Sequence, residues 1–123
     1  QAAVLAALGA QVYSVEILPE LAVQAALTLA ELGVTGVQVR QGDGWSGWPE
    51  AAPFQGILVT AAAPRPPTPL VEQLALGGRL LIPLGRSDSI QQLALFTKDA
   101  AGQLSRRNLL PVRFVPVTGA MAD

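Results

Sequence analysis

VRQGDGWSGWPEAAPFQGILVTAAAP, residues 39–64, carries two strands and the loop between them. Val37-Gln38-Val39-Arg40 alternates as a strand does, then breaks into Gly42-Asp43-Gly44-Trp45-Ser46-Gly47-Trp48-Pro49. Gly56-Ile57-Leu58-Val59-Thr60 is almost wholly apolar and short, the pattern of a strand buried on both faces of a parallel sheet. Ala61-Ala62-Ala63-Pro64 and the proline-rich Arg65–Pro69 then read as an exit loop.

Upstream, QAAVLAALG (residues 1–9) reads as the body of a helix ending at Gly9. Val12–Glu16 is β-branched and aromatic, hence a short strand ending on an acid. Pro19 and Glu20 suit a first helical turn, Leu21, Ala25, Thr28, Leu29 and Leu32 recur at helical spacing, and Gly33 stops the run. Downstream, Leu70–Leu76 is expected to be helical up to Gly77-Gly78, and Arg79–Leu84 to be a strand. Gln92–Thr97 and Leu104–Val115 read as strands joined by the turn Lys98–Gly102, which can only pair them antiparallel. The order α-β-α-β-β-α-β-β-β predicts an α/β fold with a mostly parallel sheet and an antiparallel C-terminal edge.

The 123 residues make one domain's worth of chain, with 50% hydrophobic and 14% charged residues. That apolar fraction excludes a disordered tail. A net charge of −1 suggests neither nucleic acid nor an anionic membrane as partner. Mean hydropathy is +0.40, yet the apolar runs are far shorter than the ~20 residues of a spanning helix. With no Cys and no His, disulfides, thiolate nucleophiles, imidazole acid–base chemistry and the common zinc sites are unavailable, and no metal is expected. The chain opens with Gln1 inside an apolar run, which reads as a cut within a longer protein.

In open parallel sheets ligands bind beyond the carboxyl ends of the strands. Those ends present Glu16, Asp43 within Gly42-Asp43-Gly44, and Thr60-Ala61-Ala62-Ala63. An acid at the end of a second strand can accept both hydroxyls of a ribose, and it stands about 20 residues beyond a glycine-rich loop. Counting back from Glu16 places such a loop just before Gln1. Taken alone, Glu16 reads first as an exposed acid flanking a helix and only second as a ribose ligand. Gly42-Asp43-Gly44 is either a tight turn or a backbone approaching a planar base, with the carboxylate toward an exocyclic amine. Trp45 and Trp48 could offer flat faces to a ligand or cap the core.

Taken together, Val12–Glu16 with Pro19-Glu20-Leu21, then residues 39–64, GGRLLIPLG (77–85) and PVRFVPVTG (111–119) resemble the protein-L-isoaspartate O-methyltransferase family. The likeness covers essentially the whole chain, in the family's order and spacing. It implies a Rossmann-like methyltransferase fold using S-adenosyl-L-methionine, and isoaspartyl-containing proteins and peptides as partners. The implied activity moves a methyl to the free α-carboxylate of L-isoaspartyl residues; the ester cyclises to a succinimide that reopens partly to aspartate, which is protein repair. By the same resemblance Glu16 holds the ribose hydroxyls of the cofactor, and Ile17 is also a cofactor-binding residue. Gly42, Asp43 and Gly44 hold the adenine, and Thr60 and Ala61 lie beside the methionine part. Ala62, Val117 and Thr118 face the substrate. No catalytic residue is identified in this span. A monomeric, cytoplasmic enzyme is implied for the intact protein.

The family's glycine-rich loop, its first strand and a hydroxyl residue that grips the substrate would all precede Gln1. Residues 1–123 therefore read as a single incomplete methyltransferase domain, with the first strand missing from between Val12–Glu16 and Gly56–Thr60, and little activity is expected of it alone. Three other readings remain: a Rossmann-like methyltransferase with another substrate, a non-catalytic α/β remnant or binding domain, and an NAD-dependent oxidoreductase. The last gives Gly42-Asp43-Gly44 no role.

Overall fold

A β-branched or aromatic segment gains most from a pleated, half-buried surface, and one that pairs parallel must reach its partner strand through a crossover. The computed structural model describes residues 12–16, 19–33, 36–86 and 89–113, and follows that logic. Strand β1 (Val12–Glu16) leads to helix α1 (Pro19–Glu31) and strand β2 (Val37–Gln41), which pairs parallel to β1. Helix α1 packs against both strands and buries Ala22. The helix expected over residues 1–9 lies outside the described residues.

Backbone contacts divide the chain into Gln1–Gly44 and Trp45–Asp123. In the second unit a short 3-10 turn (Pro49–Ala51) leads to β3 (Phe54–Leu58), helix α2 (Thr68–Gln73), β4 (Leu74–Leu84), β5 (Gln91–Lys98) and β6 (Leu104–Val112). The sheet order is β3-β4-β5-β6, parallel at β3–β4 and antiparallel thereafter. The antiparallel C-terminal edge is thus as expected. The β5–β6 turn is tied by the Asp99 carboxylate, which accepts from the Ala101 and Gln103 amides at 2.9 Å each. Among the described residues β1 pairs only with β2 and β3 only with β4, in separate sheets.

The core of this second unit is Trp45, Ala63, Leu74, Leu80, Ile82, Leu84, Ala94 and Phe96. Alternation supplies it: Leu80, Ile82 and Leu84 share one face of β4, and Phe96 and Ala94 lie opposite the first two on β5.

Several boundaries differ from expectation: β2 gains Gln41, β5 gains Gln91 and Lys98, β6 stops at Val112 and not Val115, and two larger differences follow. Strand β3 spans Phe54–Leu58 and not Gly56–Thr60, although pairing with β4 continues through the Val59 amide on Leu81 O (2.9 Å) and the bridge from Ala63 to Leu84. Helix α2 ends at Gln73, so Leu74–Gly78 is extended and not helical. Leu74 turns into the core at 2% exposure and pairs with Phe54. The Lys98 ammonium then donates to the Val71 and Leu74 carbonyls, 2.9 Å each, occupying acceptors that a longer helix would have used itself.

Candidate functional site

The carboxyl ends of β1 and β2 lie side by side, because the parallel register sets Glu16 opposite Gln41. Adjacent strands are about 4.8 Å apart, so an acid ends one strand where Gly42-Asp43-Gly44 leaves its neighbour. Gly42 and Asp43 are half-buried and Gly44 is exposed. A β-carbon on Gly42 would meet Val15 Cγ1 at 3.6 Å, an ordinary contact, so that strand is not what demands glycine there. Ile17 lies outside the described residues.

In the second unit Thr60 and Ala61 follow β3 at the carboxyl end of the sheet, Thr60 exposed and Ala61 half-buried. Ala62 and Ala63 turn inward, at 2% and 0% exposure. Ala63 is held to β4 by its amide on Pro83 O (3.0 Å) and its carbonyl under Gly85 N (2.9 Å). The accessible part of this segment is therefore Thr60-Ala61, while the Ala62 methyl packs inside. Val117 and Thr118 lie outside the described residues.

Trp45 belongs to the core, the second of the two readings open to it, and the Arg65 guanidinium carbon stands 5.8 Å from its ring centroid. Sequence reasoning passed over Gln73, at the end of α2. Its side chain is buried, its Oε1 accepts from the Trp48 amide (2.9 Å), and its Nε2 donates to the Ser46 carbonyl (2.8 Å). A lone glutamine in a short helix gives no pattern by which to find it.

The family model for protein-L-isoaspartate(D-aspartate) O-methyltransferase matches residues 1–122. The chain belongs to this family. The protein-L-isoaspartate O-methyltransferase of Gloeobacter violaceus is 52% identical over 118 residues, covering 96% of this chain and 57% of that protein. That of Opitutus terrae is 57% identical over 118 residues, covering 96% of this chain and 50% of that protein. The chain thus spans little more than half the length of these relatives.

A solved protein-L-isoaspartate O-methyltransferase superposes with a TM-score of 0.81 at 30% identity, covering 89% of this chain and 35% of that one. A second, from Plasmodium falciparum in complex with S-adenosyl-L-homocysteine, gives a TM-score of 0.72 at 23% identity, covering 86% of this chain and 51% of that one. The fold is accordingly that of the family, a Rossmann-like methyltransferase sheet. No described helix is long and apolar enough to cross a membrane.

Proposed function

We propose that these residues are the carboxyl-terminal part of a protein-L-isoaspartate O-methyltransferase, a monomeric, cytoplasmic repair enzyme. It transfers a methyl from S-adenosyl-L-methionine to the free α-carboxylate of L-isoaspartyl residues in damaged proteins. The observation that carries the reading is the parallel register setting Glu16 beside the start of Gly42-Asp43-Gly44, in a chain of this family. An acid there suits a vicinal ribose diol, and an Asp flanked by glycines suits the edge of an adenine and its exocyclic amine. The two donor groups of an adenosine thus meet acceptors on neighbouring strand ends.

In this reading Glu16 holds the ribose, Ile17 also binds the cofactor, and Gly42, Asp43 and Gly44 hold the adenine. Thr60 and Ala61 border the methionine part, Val117 and Thr118 border the substrate, and the buried Ala62, expected from the resemblance to face the substrate, supports Ala61 from within. When bound, S-adenosyl-L-methionine supplies an electrophilic methyl on a sulfonium. An unperturbed α-carboxyl has a pKa of about 3.5, so the nucleophile arrives ionised at pH 7 and asks no side chain to take a proton. The residues named serve to align the reactants and exclude water from them. Absence of His and Cys from the chain is compatible with such a reaction.

The test is methylation of an isoaspartyl peptide and its aspartyl counterpart with labelled S-adenosyl-L-methionine, using both the full-length protein and the 123-residue chain. Label is expected on the isoaspartyl peptide with the full-length protein, and little or none with the chain alone. Equal labelling of both peptides would favour a methyltransferase of another specificity, and no labelling by the full-length protein a non-catalytic domain.

A further inference from the structure

Strand β5 begins at Gln91, and pairing places that residue among three segments at one end of the second unit's sheet. Strand β6 reverses direction twice from β4 and so runs parallel to it. The carboxyl ends of β3, β4 and β6 therefore share one end of the sheet with the start of β5. Gln91 stands opposite Val112, the last residue of β6, from which the chain continues toward Val117 and Thr118. Gly85, at the end of β4, lies directly against it, for a β-carbon there would come within 3.2 Å of Gln91 Cα and Cγ. The Gly85 amide in turn donates to the Ala63 carbonyl at 2.9 Å, closing the segment Thr60-Ala61-Ala62-Ala63 onto β4.

Gln91 is 0% exposed, and an amide so placed is costly to bury unless it is bonded. Its Nε2 donates to the Arg86 carbonyl at 2.8 Å and to the Ser89 carbonyl at 2.6 Å. The Arg86 carbonyl also accepts from the Ser89 amide at 3.2 Å. The chain leaving Gly85 is thereby tied back to the start of β5, and the strand end that holds Ala63 is fixed with it. We infer that Gln91 is a positioning residue for the substrate side of the site. It fixes the strand ends from which Ala61 and the chain toward Val117 and Thr118 are presented. The cost of ordering them then falls on folding and not on peptide binding. The inference rests on the reading of those residues given above and lies within one unit. The residues proposed to hold the adenosine, Glu16 and Gly42–Gly44, belong to the other.

The test uses the full-length protein, with kcat and KM measured by methylation of an isoaspartyl peptide and S-adenosyl-L-homocysteine affinity by calorimetry. Gln91→Met keeps an unbranched chain of similar volume and removes the donor to Arg86 and Ser89. Gly85→Ala keeps the Gln91 amide and crowds its Cα and Cγ from the β4 side. Lys98→Met is the matched control, since it cuts two hydrogen bonds at the opposite end of β5.

Gln91→Met is expected to raise the peptide KM about tenfold, with kcat and S-adenosyl-L-homocysteine affinity within about twofold of the parent. Gly85→Ala is expected to raise the peptide KM at least about threefold with the same selectivity. Lys98→Met is expected to lower thermal stability and leave the peptide KM unchanged. An unchanged KM in Gln91→Met overturns the inference while the proposed function stands, and where that variant does not fold, an unchanged KM in Gly85→Ala does the same. An equal rise in Lys98→Met overturns it too, because any loosening of β5 would then suffice. A loss of S-adenosyl-L-homocysteine affinity as large as the rise in KM also counts against it, as a general softening of the domain. Failure of the unsubstituted protein to methylate the peptide overturns the functional reading and the inference with it.

Discussion

Replacing Gly47 by alanine tests how tightly the Trp45–Trp48 loop is seated, and its effect can be worked against an internal reference. Gly47 has φ +69°, and Gly102, in the β5–β6 turn of the same unit, has φ +82°. In both, alanine meets the left-handed backbone penalty of about 1–2 kcal/mol, partly offset by about 0.4–1 kcal/mol from a stiffer unfolded chain. A β-carbon on Gly102 meets nothing within 4 Å, so Gly102→Ala carries only that net backbone cost. A β-carbon on Gly47 overlaps Gln73 Oε1 and sits 2.8 Å from Leu70 Cδ2, so Gln73 must swing away and release both loop hydrogen bonds. At about 0.5–1 kcal/mol per bond that adds about 1–2 kcal/mol, and about 1–2 kcal/mol more for displacing the buried Leu70 brings the excess to about 2–4 kcal/mol. Urea unfolding followed by the fluorescence of Trp45 and Trp48 measures both variants. Gly47→Ala should lose about 2–4 kcal/mol more than Gly102→Ala. An excess below about 0.5 kcal/mol would mean that the loop is not seated on Gln73, and would refute the reasoning.

Three further substitutions probe the rest of the site and its support. Glu16→Ala and Asp43→Ala, each removing a charged acceptor proposed for the adenosine, should weaken S-adenosyl-L-homocysteine binding by roughly 10–100-fold in calorimetry with the full-length protein, and an unchanged affinity in both would remove the adenosine assignment. Lys98→Met, which leaves the Val71 and Leu74 carbonyls without their 2.9 Å partner, should cost about 1–3 kcal/mol in urea unfolding; no loss would mean that water replaces the ammonium freely.

Where the fold was legible, a local rule and the tertiary environment asked for the same thing. Val12–Glu16 is a strand with the expected bounds, since β-branched and aromatic residues there also find a parallel partner. Helix α1 starts at Pro19 and stops before Gly33 for reasons within its own sequence. Where it was not legible, a long-range partner prevailed. Leu74-Ala75-Leu76 are good helix formers, yet Leu74 pairs with Phe54 and enters the core, with the ammonium of Lys98 taking over the helix-end carbonyls. None of those partners is near in sequence. The same division runs through the site. Glu16 and Gly42–Gly44 can be placed from strand ends alone, because parallel pairing puts carboxyl ends together. Gln73 is invisible in this way, since its role depends on a loop 25 residues earlier in the chain.

That contrast bears on what kind of help this segment gives to chemistry. The side chains of Gln73, Gln91 and Lys98 all bond to main-chain groups: Gln73 to Ser46 and Trp48, Gln91 to the Arg86 and Ser89 carbonyls, Lys98 to Val71 and Leu74. Each fixes the course of a loop or a helix end, and in these bonds none is set up to exchange a proton with a ligand. A carboxylate attacking a sulfonium methyl needs no such exchange, only reactants held in line. Substitutions among these residues should therefore register as altered affinity or stability, with the shape of the pH–rate profile kept. A base-catalysed transfer would behave otherwise, because disturbing the groups around its base moves the limbs of that profile. The pH–rate profile of Gln73→Met thus separates a scaffold that positions its reactants from one that also activates them.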